Sequence, residues 1–301
     1  MDYLTLSFNM LLLLFWVRLW SAPDKEFYFN PFLSGTIKIT DSALAFLRPV
    51  LYLPEQAAAA VILFFLVLFK TILLLRLQGT WAVTLGTFFH FSPQATGSTT
   101  SSLLLFSLLH FVAFLLKLWT VYLLVRLITP PVRDTRATEA FAFFARPFSR
   151  LPLLAQPAVL LALHAALAFT VSRTGTLSII SQITEGAKPA AGSPFLDGPL
   201  LAQVLKTGWL AALSFADGLS LLTKTLFILI LGNLAAAVLQ ARGAVIICSE
   251  GVELLLGRFA RNRVGGMGFD FTPLIFFFVV DMMYNSVCLG LFNLIHMPMF
   301  N

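Results

Sequence analysis

Apolar runs of about twenty residues recur along the chain, parted by shorter stretches where polar and charged residues collect. About 20 consecutive apolar residues cross the hydrocarbon core of a bilayer. The pattern predicts a short first span over 4–20 and further spans over 57–77, 102–128 and 154–172. The last of these is entered after Pro152, with Pro157 in its first turn. The stretch 199–241 is apolar for too long to be one ordinary span, so it reads as an interfacial helix near 199–213 followed by one span. The final span is 271–296, opened by Pro273, whose missing N–H costs nothing in a first turn. The expected fold is all-α: a polytopic membrane bundle of about six transmembrane helices with short interfacial helices.

The run from Leu11 to Val17 also has the look of a signal-peptide core. No Lys or Arg precedes it, Asp2 does, and Arg18 follows, which reverses the charge order of a cleaved signal. The expectation is therefore a retained span.

The connecting segments fall into two kinds. Segments 21–56, 129–153 and 242–270 carry Lys and Arg, whereas 78–101 and 173–198 are rich in Gly, Ser, Thr, Pro and Ala. The spans thus pair into three hairpins, each closed by a basic hook: 1–77, then a linker over 78–101; 102–172, then a linker with the interfacial helix over 173–218; and 219–301. By the positive-inside rule the hooks face the cytoplasm and both termini lie outside.

The hooks repeat. Thr40-Asp41 leads to Arg48-Pro49 and then Leu53-Pro54; Thr138-Glu139 leads, at the same spacings, to Arg146-Pro147 and Leu151-Pro152. The third hook is looser, with Ser249-Glu250 leading to Arg258 and no Arg-Pro. Lys117 precedes the second hook as Lys224 precedes the third. A hydroxyl followed by an acid suits a helix start, where it caps free N–H groups and opposes the dipole. Arg-Pro should then stop the short helix. The Arg is placed to bind lipid phosphate or a carboxylate of its own hook; the simpler reading, a re-entrant elbow that only returns the chain to the bilayer, is preferred.

The third hook continues Gly265-Gly266-Met267-Gly268-Phe269-Asp270-Phe271-Thr272-Pro273, and the first contains Asn30-Pro31-Phe32 ahead of Thr40-Asp41. A glycine pair, then Asp, an apolar residue, Ser or Thr, and Pro before an aliphatic run resembles the signature of the YggT family. The resemblance is clearest over 221–296, fair over 14–77 and weaker over 120–172. The chain departs from that family in having three hairpins rather than one or two, and the glycine–Asp–Pro element only in the last. The resemblance implies a bacterial inner-membrane protein with plastid relatives. It implies links to osmotic stress and potassium balance, to cell division or nucleoid organisation, or to cytochrome assembly. It brings no catalytic residue, and it assigns Gly266, Gly268, Asp270, Thr272 and Pro273 to a structural turn into the last helix.

Composition narrows the class. Of 301 residues 58% are hydrophobic and 11% charged, against about 25% charged in a soluble domain. Phe supplies 31 residues, Tyr and Trp 5 each, so most aromatic surface has no polar handle. A soluble enzyme, a disordered chain and a nucleic-acid-binding domain are excluded, and the net charge of +6 belongs to the hooks. Cys248 and Cys288 are too few for a disulfide framework or a Cys-rich metal site.

Inside the spans lie Lys70, His110, Lys117, His164, Lys224 and Asp281, with Asp217 close by. Each must pair, snorkel or line a wet cavity. Lys70, followed by Arg76, is expected to snorkel, and the two histidines to be hydrogen-bonded core residues. Lys117 is too deep for easy snorkelling; Asp217 shares a helix side with Lys224, and Asp281 is the expected acidic partner. A packing pair and a transport site fit these residues equally. There is no His-Glu-x-x-His, Walker loop, paired-cysteine or Gly-x-Ser-x-Gly motif. The expectation is a protein that is not an enzyme and has no cofactor and no metal. Its partners are the lipid bilayer and other membrane proteins, with no nucleic acid. Two functions remain: a scaffold or assembly factor, or a transport-related protein for protons or potassium.

Overall fold

The computed structural model describes residues 3–20, 29–76, 83–85, 89–93, 100–128, 136–179, 200–261, 265–266 and 269–294. Helices dominate: α1 (Tyr3–Trp20), α2 (Ser34–Leu51), α3 (Glu55–Arg76), α4 (Thr100–Ile128), α5 (Arg136–Phe144), α6 (Ala155–Thr174), α7 (Leu200–Val238), α8 (Arg242–Leu256) and α9 (Thr272–Leu294). Five of them, α3, α4, α6, α7 and α9, are long and apolar enough to cross a membrane. By helix length and composition this is a multi-pass membrane protein. The fold is all-α, as the apolar pattern predicts. At 18 residues α1 is shorter, about 27 Å long. It runs antiparallel to α3, with Phe8 against Phe69 at 5.9 Å and Arg18 against Glu55.

Burial sorts the helices. In α4 67% of the most apolar window is buried, in α9 only 17%, so α4 is the hub and α9 lies at the periphery. Phe64, Phe65, Phe278 and Met282 are exposed. Exposed side chains of that size are expected where the surrounding medium is as apolar as they are.

The expected break in 199–241 does not occur. α7 is one helix of 39 residues, about 58 Å long. Trp209, Leu210, Ala211 and Leu213 are buried in the bundle, and the Trp209 indole N–H donates to the Leu291 carbonyl at 2.7 Å. The proposed interfacial stretch is therefore the upper part of a bundle helix, and no proline interrupts it.

The hook helices begin earlier than the Thr-acid rule predicts. α2 starts at Ser34, and the Thr40 hydroxyl donates to the Thr36 and Ile37 carbonyls within it. α8 starts at Arg242, leaving Ser249-Glu250 mid-helix, with the Ser249 hydroxyl on the Ile246 carbonyl. Hydroxyls that back-bond to a preceding turn fit a helix interior without capping it. Thr138-Glu139 do lie in the first turn of α5.

Arg-Pro as a stop also divides. α2 runs through Arg48-Pro49 to Leu51, because proline has a helical φ and a single lost N–H near a helix end is tolerated. α5 ends at Phe144, and Arg146-Pro147 form the turn after it. The Arg146 guanidinium lies 5.2 Å over the Phe143 ring, and its carbonyl accepts the Trp16 indole N–H at 3.1 Å. α8 stops at Gly257, whose φ is +54°, and Arg258 follows in a 3-10 turn over Gly257–Arg261. A Cβ at Gly257 would lie 2.7 Å from the Ile128 side chain and 3.0 Å from its backbone, so both conformation and space require glycine.

The two linker segments contribute strands that the apolar pattern does not predict. β1 (Val83–Leu85), β2 (Phe89–Pro93) and β3 (Gly175–Ile179) form an antiparallel sheet in that order, with Val83 opposite Phe91 and Phe91 opposite Leu177. The sheet follows α6 and precedes α4, so it covers the end of the bundle opposite the hooks. β4 (Gly265–Gly266) and β5 (Phe269–Asp270) form a small pair ahead of α9.

Candidate functional site

The polar groups inside the bundle form a layer around α4. Lys117 Nζ lies 3.1 Å from Asp217 Oδ2, and the Tyr284 hydroxyl donates to Asp217 Oδ1 at 3.1 Å. The carboxylate thus joins α4, α7 and α9 while 3% exposed, against 15% for the lysine side chain. Charges so placed are tolerated only when paired and hydrogen-bonded.

One turn along α7 the layer continues to α6. His164 Nδ1 lies 2.8 Å from the Ser214 hydroxyl and its Nε2 3.1 Å from the Thr120 hydroxyl. Thr120 donates its one hydrogen to the Leu116 carbonyl at 2.8 Å. It therefore accepts from His164 Nε2–H, and Nδ1 accepts from Ser214. Thr120 also fills the space over Gly218: a Cβ there would lie 2.4 Å from its methyl. Small residues let transmembrane backbones approach in this way, and the approach carries Asp217 to Lys117.

A second cluster joins α1, α3 and α4. Lys70 Nζ donates to Asn9 Oδ1 at 3.0 Å and to the Ser107 carbonyl at 3.5 Å, while Asn9 Nδ2 lies 3.1 Å from His110 Nδ1. Lys70 is 1% exposed. The snorkelling expectation is overturned, because the amide of α1 takes the ammonium that would otherwise seek the interface. The apolar pattern does not mark Asn9, Tyr284, Ser214 and Thr120 as partners of these charges. Asn9 carried a signal, as a lone amide in an apolar run.

At the first hook, Arg18 Nη2 sits between Asp41 and Glu55, the latter at 2.6 Å. Asp41 thus anchors the hook to α1. Asn30, beginning the same hook, donates from Nδ2 to the Arg136 carbonyl at 2.9 Å and so ties the first hook to the second. Among the described residues α8 also packs on α5. An apolar groove of about 240 Å³ opens between the hook helices and the spans, lined by Phe32, Ala137, Phe141, Leu221, Leu229 and Leu254 among others.

The expected pairing of Asp281 is corrected. Among the described residues neither Asp281 nor Lys224 forms an ion pair; Lys117 takes Asp217 instead. Asp281 is half-buried, its carboxylate accepting the Asn285 amide at 3.0 Å. Lys224 is exposed. The repeat counterparts Lys117 and Lys224 therefore face opposite environments, since α4 is enclosed and the lower part of α7 is not.

At the last hook Asp270 Oδ1 accepts the Thr272 N–H at 2.9 Å, and Pro273 follows in the first turn of α9. Gly265 pairs with Asp270 and Gly266 with Phe269. Gly268, and the side chains of Arg48 and Pro49, lie outside the described residues. Compared with known proteins, the chain matches no family model, no curated protein and no solved structure.

Proposed function

We propose that the protein is a non-enzymatic scaffold or assembly factor of the YggT type in the bacterial inner membrane. α1 is its sixth span, and its hooks are cytoplasmic. One contrast carries the reading. The ionisable groups deepest in the bundle are paired, Lys117 with Asp217 and Tyr284, and His164 with Thr120 and Ser214. Two span charges that form no ion pair among the described residues, Lys224 and Asp281, lie towards the outside. Chemistry directed outward suits contact with neighbours. The antiparallel packing of α1 along α3 supports the sixth span, and the Asp270–Thr272 turn supports the family resemblance. Affinity purification from native membrane should return other integral membrane proteins in stoichiometric amount. Recovery of this chain alone would count against the proposal.

A second reading, proton or potassium transport, draws on the same layer. Tyr284, Asp217 and Lys117 form a continuous polar chain beside His164. Intramembrane ionisable residues commonly mark ion pathways. Flux through liposomes that hold only this protein would carry that reading.

A further inference from the structure

Lys224 and Asp281 are ionisable side chains in membrane-spanning helices, and among the described residues neither has an opposite charge. Each is expensive against lipid and gains a great deal from a partner. Their positions are related. α7 and α9 run antiparallel, with Asp217 on Tyr284, Phe227 on Phe277 at 5.6 Å, and Trp209 on Leu291. On that register Lys224 and Asp281 stand within about one helical turn of the same depth. Lys224 lies three residues before Phe227 and Asp281 three before Tyr284, each therefore about 60° round from a residue facing the other helix. Because the helices are antiparallel, the same sense of rotation brings both to one flank of the pair. Beside Asp281 the outer face of α9 is hollowed by about 510 Å³, with Phe278, Met282, Asn285 and Leu289 in the lining.

We propose that this flank is a self-association surface, in which Lys224 of one copy pairs with Asp281 of a second copy and Asp281 with Lys224. Two copies inserted in the same orientation are related by a two-fold axis along the membrane normal. Such an axis brings residues of equal depth together reciprocally. A flank with one charge of each sign at matched depth is complementary to itself. The hollow on α9 receives apolar side chains of the facing copy. The inference rests on the outward-facing charges of the scaffold reading and names a second copy as one partner.

The test uses two differently tagged copies expressed together and capture through one tag from mild detergent. The wild-type copies should capture each other. Lys224→Asp alone, or Asp281→Lys alone, should lower self-capture about tenfold or more, since two interhelical polar contacts are lost. Lys224→Asp expressed with Asp281→Lys should capture each other, because both ion pairs form between those chains and neither chain can form one within itself. The double swap on one chain, Lys224→Asp with Asp281→Lys, keeps folding controlled should a single swap misfold. It should capture itself and reject the wild type. Failure of wild-type self-capture would overturn the inference, as would a double swap that captures the wild type as well as itself. If native membrane still yields other partners in either case, the scaffold reading survives.

Discussion

Lys117 and Asp217 face each other at 3.1 Å from α4 and α7, and the Tyr284 hydroxyl donates to the carboxylate's other oxygen. Removing one charge strands the other in the bundle. Asp217→Leu should therefore cost about 3–5 kcal/mol, and the double variant with Lys117→Met should recover most of it. Thermal unfolding of the four proteins in one detergent measures both. Arg18 predicts an asymmetry of another kind. It holds two carboxylates, so Arg18→Gln removes two ion pairs, whereas Asp41→Asn or Glu55→Gln removes one. The arginine variant should show the largest fall in melting temperature of the three. At this scale the sequence betrays that Lys117 is deep, but not that its partner is Asp217. Periodicity places a residue on a helix face and is silent on which helix that face meets. Lys70 misleads for the same reason, since Asn9 reaches it from α1, sixty-one positions away.

Helices meet where their surfaces allow, and Gly218 sets the closest approach of α7 to α4. A Cβ there would sit 2.4 Å from the Thr120 methyl, while one at Gly208 would meet nothing within 4 Å. Thr120 is branched at Cβ and held by Leu116 and His164, so it has little room to give. Gly218→Ala should destabilise by about 1–3 kcal/mol. Gly208→Ala, in the same helix, should stabilise by about 0.5–1 kcal/mol through backbone entropy. Melting curves of the two variants should shift in opposite directions. Element boundaries were legible where a single residue type decides them, as at Pro273; the stop at Gly257, set by its contact with Ile128, was not. They were not legible where tertiary burial overrides a local rule. α7 is continuous through 200–213 because its tryptophan and leucines are buried against α9 and its neighbours, which no local count of apolar residues reveals. The pairing of β2 with β3 is not legible because it joins segments on either side of α4 and α6, and β1 and β2, which pair within one linker, span only three and five residues.

Across the whole molecule the hooks gather at one end and the three-stranded sheet at the other, an arrangement the alternating basic and small-polar connections foretell. Orientation follows from the basic residues of the hooks. In a background with Cys248 and Cys288 replaced by alanine, Thr135→Cys should resist an impermeant thiol reagent added to intact cells and react once the membrane is opened. Labelling in intact cells would reverse the orientation. On the scaffold reading the polar layer fastens the bundle and carries nothing through it. Proton and potassium flux in liposomes containing only the purified protein tests this most directly. The expected result is flux equal to that of empty liposomes, in the wild type and in the Lys117→Met, Asp217→Leu double variant alike. Saturable flux in the wild type, lost in a double variant that folds as well, would contradict the account.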